Sequence, residues 1–338
     1  MSPIASILGM SGPVNYLTAG QSSLYDFTSA YFTVSRSLTN SSSSDTHRYG
    51  PTQSQVRSWL SGTSNGGSGH SWANTYVTVP STQGYQFWIV PKTGKYTFRA
   101  KGGAVGRTDH NHYSRGVIAT ADFNLTMGDT IIIVAGQGVP DFSGDHCNGG
   151  AGASWVARGN NISTAVPLLV GSGAGGDTSD GGTKVQPNTN ITANSVNVGG
   201  ITGTETTVVN PDGTSSGYGG AGSTPNSGGW LSSGSGSYAG QGFRQGLLGG
   251  TRSNSTAGYG AFGGGSGGHD ESGNAGGGFT GASGIDNTNT TGHGSSFVNS
   301  ENVGNVSASL QTSTTTFQSS DYTSESQFQG WVQVSFVG

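Results

Sequence analysis

Residues 258–284, GYGAFGGGSGGHDESGNAGGGFTGASG, limit what this chain can fold into more than any other stretch. Glycine inside a helix costs about 1 kcal/mol relative to alanine, and it weakens a strand as well. Such a segment is either disordered or packed in some third way. That third way is a bundle of extended polyproline-II-like helices, with three residues per turn and no internal hydrogen bonds. Neighbouring segments then satisfy each other's backbone groups, provided that side chains are absent between them.

Composition favours packing over disorder. Of 338 residues 63 are glycine and only 9% are charged, while 6 Trp, 12 Tyr and 13 Phe are spread along the chain. A disordered chain is normally charge-rich and aromatic-poor. No strict Gly-X-Y period is present, which excludes collagen. A net charge of -4 leaves no basic footprint for nucleic acid. The opening MSPIASILGMSGPVNYL lacks a charged lead and its apolar run is broken by Gly9 and Gly12, so neither a signal peptide nor membrane insertion is expected. The one cysteine, Cys147, excludes an internal disulfide framework and favours assembly in a reducing cytoplasm.

Residues 1–75 are rich in Ser, Thr and Asn and read as an N-terminal attachment segment, with one helix expected over residues 52–60, capped by Thr52 and stopped by Gly62. Residues 76–338 read as one all-β domain. Strands are expected at NTYVTVP, YQFWIVP, GKYTFRAKG, GVIATADFNL, DTIIIVAG, ASWVARG, AVPLLVG and the terminal WVQVSFV. In GKYTFRAKG, Tyr96, Phe98 and Ala100 alternate with Thr97, Arg99 and Lys101, the period of a half-buried antiparallel strand. The last strand is expected to close a sheet begun more than two hundred residues earlier. The fold class is therefore an antiparallel jelly-roll sandwich with a polyglycine-II bundle inserted at about residues 144–296. The polar stretch 184–212 is an excursion from that insert.

The ordered set FWIVPKTGKYTFRAKGGAVG, LTMGDTIIIVAGQG, NGGAGASWVARG, PLLVGSGAGGD, GAFGGGSGGHDESGNAGGGFTGASG and GHGSSFVNS resembles the glycine-rich jelly-roll module of receptor tyrosine kinases of the anaplastic lymphoma kinase type. The resemblance spans about residues 86–299 and implies polyglycine helices packed hexagonally beside the sheets. The chain departs from that module in lacking its paired cysteines and in carrying a longer insert at 182–246. Polyglycine bundles of this kind are also similar to those of adhesins at the tips of T-even-type phage tail fibres.

Motifs for chemistry are weak. Gly171, Gly173 and Gly176 match G-x-G-x-x-G, but the residues that follow cannot form the helix that a dinucleotide site requires. Gly264, Ser266 and Gly268 match G-x-S-x-G beside His269, without a readable strand-to-helix elbow. His110, His112 and His146 with Cys147, Asp141 and Asp145 are metal-type ligands at spacings too loose for a zinc motif. No cofactor, metal or catalytic residue is expected. Aromatics between glycines either pack on the bundle or form contact platforms. Packing is favoured for Phe262 and Phe279. Receptor contact is expected of Tyr218 and Phe243, together with His110, His112 and Tyr113 of the loop RTDHNHYSRG, and of Trp230 and Tyr238, for which packing is an equal alternative.

The expected function is that of a non-enzymatic phage virion protein, a tail-fibre or tail-tip adhesin assembled in the host cytoplasm. Its partners would be a bacterial surface receptor, either polysaccharide or outer-membrane protein, and other virion proteins, with the chain trimeric. A purely structural virion role and a polysaccharide depolymerase are the alternatives.

Overall fold

The computed structural model describes residues 22–33, 45–62, 69–81, 83–107, 112–139, 148–176, 217–221, 225–253, 257–268, 274–283, 292–310 and 328–338. Two antiparallel sheets lie face to face. The first has five strands in the order β1 (Ser29–Thr33), β13 (Trp331–Phe336), β4 (Gly94–Lys101), β7 (Val117–Leu125) and β12 (Gly304–Leu310). The second has six, in the order β11 (Phe297–Val298), β10 (Val166–Gly171), β9 (Ser154–Arg158), β8 (Thr130–Val134), β3 (Gln86–Ile89) and β2 (Val77–Thr78). The terminal strand does close the first sheet over the long range expected, Val332 pairing with Ala100 and Val334 with Phe98.

Alternation along the strands builds the core between the sheets. Phe98, Phe123, Val332 and Val334 of the first sheet meet Trp88, Ile131, Ile133 and Val156 of the second. The run Ile131, Ile132, Ile133, Val134 does not alternate, because β8 is buried on both faces. Ile131 and Ile133 face the sandwich core, whereas Ile132 and Val134 join a second cluster with Trp155, Trp230, Phe243, Leu247, Phe262 and Phe279. Five of those residues come from the glycine-rich region, which therefore covers the outer face of the second sheet.

The glycine-rich segments follow a three-residue rhythm. Gly150 N–H donates to Ser266 O (2.8 Å), Ala151 to Ala174 O (2.8 Å), Gly152 to Gln137 O (2.9 Å) and Ala153 to Gly263 O (3.0 Å). Residues 150 and 153 thus address one neighbouring segment while the two between address others. The same holds elsewhere: Gly173 and Gly176 donate to Gly277 and Asn274, with Ala174 turned to Gly103. Gly276 and Phe279 likewise donate to Gly292 and Ser295. This is the period of a polyproline-II helix, and it spreads each segment's donors over several neighbours. Segments so close leave no room for side chains. A Cβ at Gly150 would fall on the carbonyl of Ala275, and one at Gly152 on the carbonyl of Phe262.

The proposed boundary at residue 75 does not separate two packing units. β1 pairs with β13 along its whole length, and the helix α1 (Gln53–Ser61) contributes Val56 and Leu60 to the sandwich core. The helix begins as expected, with Thr52 as N-cap and Gln55 completing a capping box, and ends at Gly62. Residues 45–50 clasp the bundle instead of projecting from it. His47 O accepts from Phe262 N (2.8 Å), Arg48 Nε donates to Gly249 O (2.9 Å), and His47 Nε2 faces Tyr259 O at 3.0 Å. The loop expected at RTDHNHYSRG is in part a hairpin, β5 (Val105–Arg107) with β6 (His112–Ser114).

Burial sets a pH dependence through His47 of this clasp and through Lys101 of β4. Desolvation holds the His47 pKa below its usual value, against the opposing pull of the Tyr259 carbonyl and Asp45 and alongside Arg48, which also lowers it. Desolvation likewise pushes Lys101 down to about 7. Both groups bind a proton less readily folded than unfolded. Stability is therefore lost as pH falls, through the range below about 6.5 for His47 and between 10.5 and about 7 for Lys101. Unfolding free energies from urea titrations at pH 9 to pH 5.5 are expected to fall, by at most about 1.4 kcal/mol per pH unit for each group. In His47→Gln the segment of that fall below pH 6.5 should flatten.

Candidate binding surface

With the second sheet covered on both sides, the outer face of the first sheet reaches solvent in part: Tyr31 and Arg99 are exposed, whereas Lys101, Thr120 and Asp122 on the same face are buried. In β1, Ala30 and Phe32 point inward and Tyr31 outward, 41% exposed. In β13, Val332 and Val334 are buried, while Trp331, Gln333 and Ser335 are half-buried on the other face. β4 adds exposed Arg99 and half-buried Thr97. Register aligns these into rows. Tyr31 lies opposite Gln333, Gln333 opposite Arg99, and Arg99 opposite Thr120 of β7. The next row runs Thr33, Trp331, Lys101, Ile118.

The side chains of this face hold one another. Tyr31 meets Trp331 edge to face, centroids 5.7 Å apart at 72°. The Arg99 guanidinium sits 5.4 Å above the Trp331 ring, and its Nη1 donates to Gln333 Oε1 at 3.1 Å. Nearby Lys95 is paired with Asp122 (3.8 Å), whose other oxygen accepts from Thr97 Oγ1 (2.6 Å). Among the described residues Arg99 has no carboxylate partner, and it is the exposed cation of the face.

The residues expected to touch a receptor divide differently. Trp230 is only 2% exposed and stacks on fully buried Phe243 at 4.2 Å and 23°, with Trp155 tilted 6.1 Å away. These two rings fasten the bundle to the second sheet and offer no surface, which corrects their assignment to receptor contact. Phe262 and Phe279 pack in the same cluster, as expected. Tyr218 is at the surface, 38% exposed, with its carbonyl accepting from Gly281 N. Tyr238 is half-buried and left-handed (φ 66), its carbonyl accepting from Gly267 N. His112 and Tyr113 lie in β6, opposite Arg107 and Gly106, and His110 lies outside the described residues. The sequence thus brings Tyr218 and Tyr238 to the bundle, on the opposite side of the sandwich from Tyr31 and Arg99.

The weak chemical motifs have structural uses. Gly173 and Gly176 are bundle positions bonded to Gly277 and Asn274. Ser266 is fully buried and its Oγ accepts from Ala275 N at 2.7 Å, a bond that joins two bundle segments. Among the described residues no group of three His, Cys, Asp or Glu could hold a metal, and no helix is long and apolar enough to cross a membrane. Asp141, Asp145, His146, Cys147 and His269 lie outside the described residues.

No family model matches the chain. A stretch of 109 residues is 36% identical to part of the leukocyte tyrosine kinase receptor of Mus musculus, covering 31% of this chain and 11% of the receptor. The match agrees with the resemblance to a glycine-rich receptor module, and it leaves most of the receptor's length without a counterpart here.

Proposed function

We propose that this chain is a non-catalytic attachment protein, with the setting inferred from its sequence being a phage tail fibre or tail tip that binds a bacterial surface receptor. The observation that carries the reading is the division of labour between the two sheets. A glycine lattice bonded through its own backbone occupies the outer face of the second sheet, and the first sheet presents a preorganised row of aromatic, amide and guanidinium groups. Groups held in place before binding lose little freedom on contact, which suits recognition. The resemblance to glycine-rich adhesins and the single cysteine support the virion setting.

Labelled full-length protein is expected to bind some bacterial strains saturably and others not at all. Binding should be lost on strains stripped of surface polysaccharide and outer-membrane protein. Release of reducing ends from those cells during binding would sink the non-catalytic reading, and absence of binding across a broad strain panel would sink attachment.

A further inference from the structure

The geometry points to the outer face of the first sheet as a binding site for a carboxylate-bearing polysaccharide, an inference that rests on the attachment reading above and names its ligand class. A sugar ring offers an apolar C–H face and a rim of hydroxyls, so it is recognised by a flat aromatic ring flanked by planar hydrogen-bonding groups. Tyr31 supplies the exposed ring, in edge-to-face contact with Trp331. Gln333 and Arg99 follow in the same row on the next two strands. Strands are spaced about 4.8 Å apart, so the row forms a track across β1, β13 and β4 and not a pocket, and it ends at buried Thr120 of β7.

The charge selects an acidic glycan. Lys95 on this face is met by Asp122, but Arg99 has no acid among the described residues and keeps donors beyond the one bonded to Gln333. The guanidinium lies 5.4 Å from the centre of the Trp331 ring and is exposed, and a guanidinium takes a carboxylate through two parallel hydrogen bonds. The chain as a whole carries a net charge of -4 and repels polyanions, so retention of an acidic polymer calls for a local site.

The test is affinity electrophoresis of the full chain through native gels holding alginate, polygalacturonate or dextran. The wild type should be retarded by the two polyuronates and not by neutral dextran, and the retardation should weaken as salt is raised. Arg99→Gln and Tyr31→Ala should each weaken it at least tenfold, Arg99→Lys less, and Tyr218→Ala on the bundle should leave it unchanged. All four replace surface side chains, and unchanged thermal melts would show that folding is intact. No retardation by either polyuronate, or equal retardation of wild type, Arg99→Gln and Tyr31→Ala, overturns the proposal. So does a shift to smaller particles in light scattering of Tyr31→Ala without loss of retardation, which would assign the face to a second copy of the chain. Cell binding by the same variants separates the two claims. Undiminished binding by Arg99→Gln and Tyr31→Ala would overturn this site and leave attachment standing, whereas wild type retarded in gels but unbound by every strain would support the saccharide site and overturn attachment.

Discussion

Gly150→Ala is expected to destabilise the protein by about 4 kcal/mol or to abolish soluble expression. The added methyl would fall on the carbonyl of Ala275, in backbone that cannot move without disturbing its own neighbours. Overpacking of this kind costs about 1 to 3 kcal/mol. The hydrogen bonds from Gly150 N to Ser266 O and from Ala261 N to Gly150 O would be strained too, each contributing about 1 kcal/mol. The informative control is Gly128→Ala. Gly128 sits in the turn between β7 and β8 with φ 89 and nothing within 4 Å of a Cβ. There the only cost is the left-handed backbone, about 1 to 2 kcal/mol. Urea denaturation of both variants would separate close packing from conformational freedom, and equal losses would mean that the lattice is not close-packed.

Trp230→Ala is expected to lose about 3 to 5 kcal/mol, the usual result of emptying a large aromatic site in a core. The ring is stacked on Phe243 and lies against Trp155 and Phe279, so its removal leaves a cavity where the bundle meets the second sheet. A surface residue of the kind the sequence suggested would change stability by no more than about 0.5 kcal/mol. Urea melts followed by the fluorescence of the remaining tryptophans decide between the two.

Most of the sandwich was legible because its strands obey simple periods. GKYTFRAKG and WVQVSFV alternate, and their pairing across the whole domain follows from each having a single apolar face. Glycine enrichment told truly that a third kind of structure was present, since the hydrogen-bond rhythm of Gly150, Gly152 and Gly173 needs bare backbone on all sides. β1 was hidden because SAYFT is short and embedded in Ser/Thr-rich sequence; only pairing with β13 reveals it. β12 escaped for a similar reason, as GNVSASL holds few large apolar residues and opens on Gly304 and Asn305, both left-handed.

The candidate surface was far less legible. Trp230 and Tyr238 share the same serine and glycine surroundings, yet one is interior and the other half-buried, because neighbours in sequence do not say which side of a lattice a ring takes. Tyr31, Gln333 and Arg99 come from opposite ends and an early strand of the chain, and only the register of three strands sets them in one row. Even so, the alternation of Arg99 and Thr97 against Phe98 and of Gln333 against Val332 and Val334 did mark these side chains as outward.

Covering of the second sheet requires the glycine-rich segments to form a fixed lattice, and native-state hydrogen exchange tests that most directly. The amides of Gly150, Ala151, Gly152 and Ala153 are each bonded to another segment's carbonyl, and should exchange as slowly as those of β4 and β7. Exchange of these amides near the unfolded rate, with β4 and β7 still protected, would contradict the lattice and reopen the outer face of the second sheet as a binding surface.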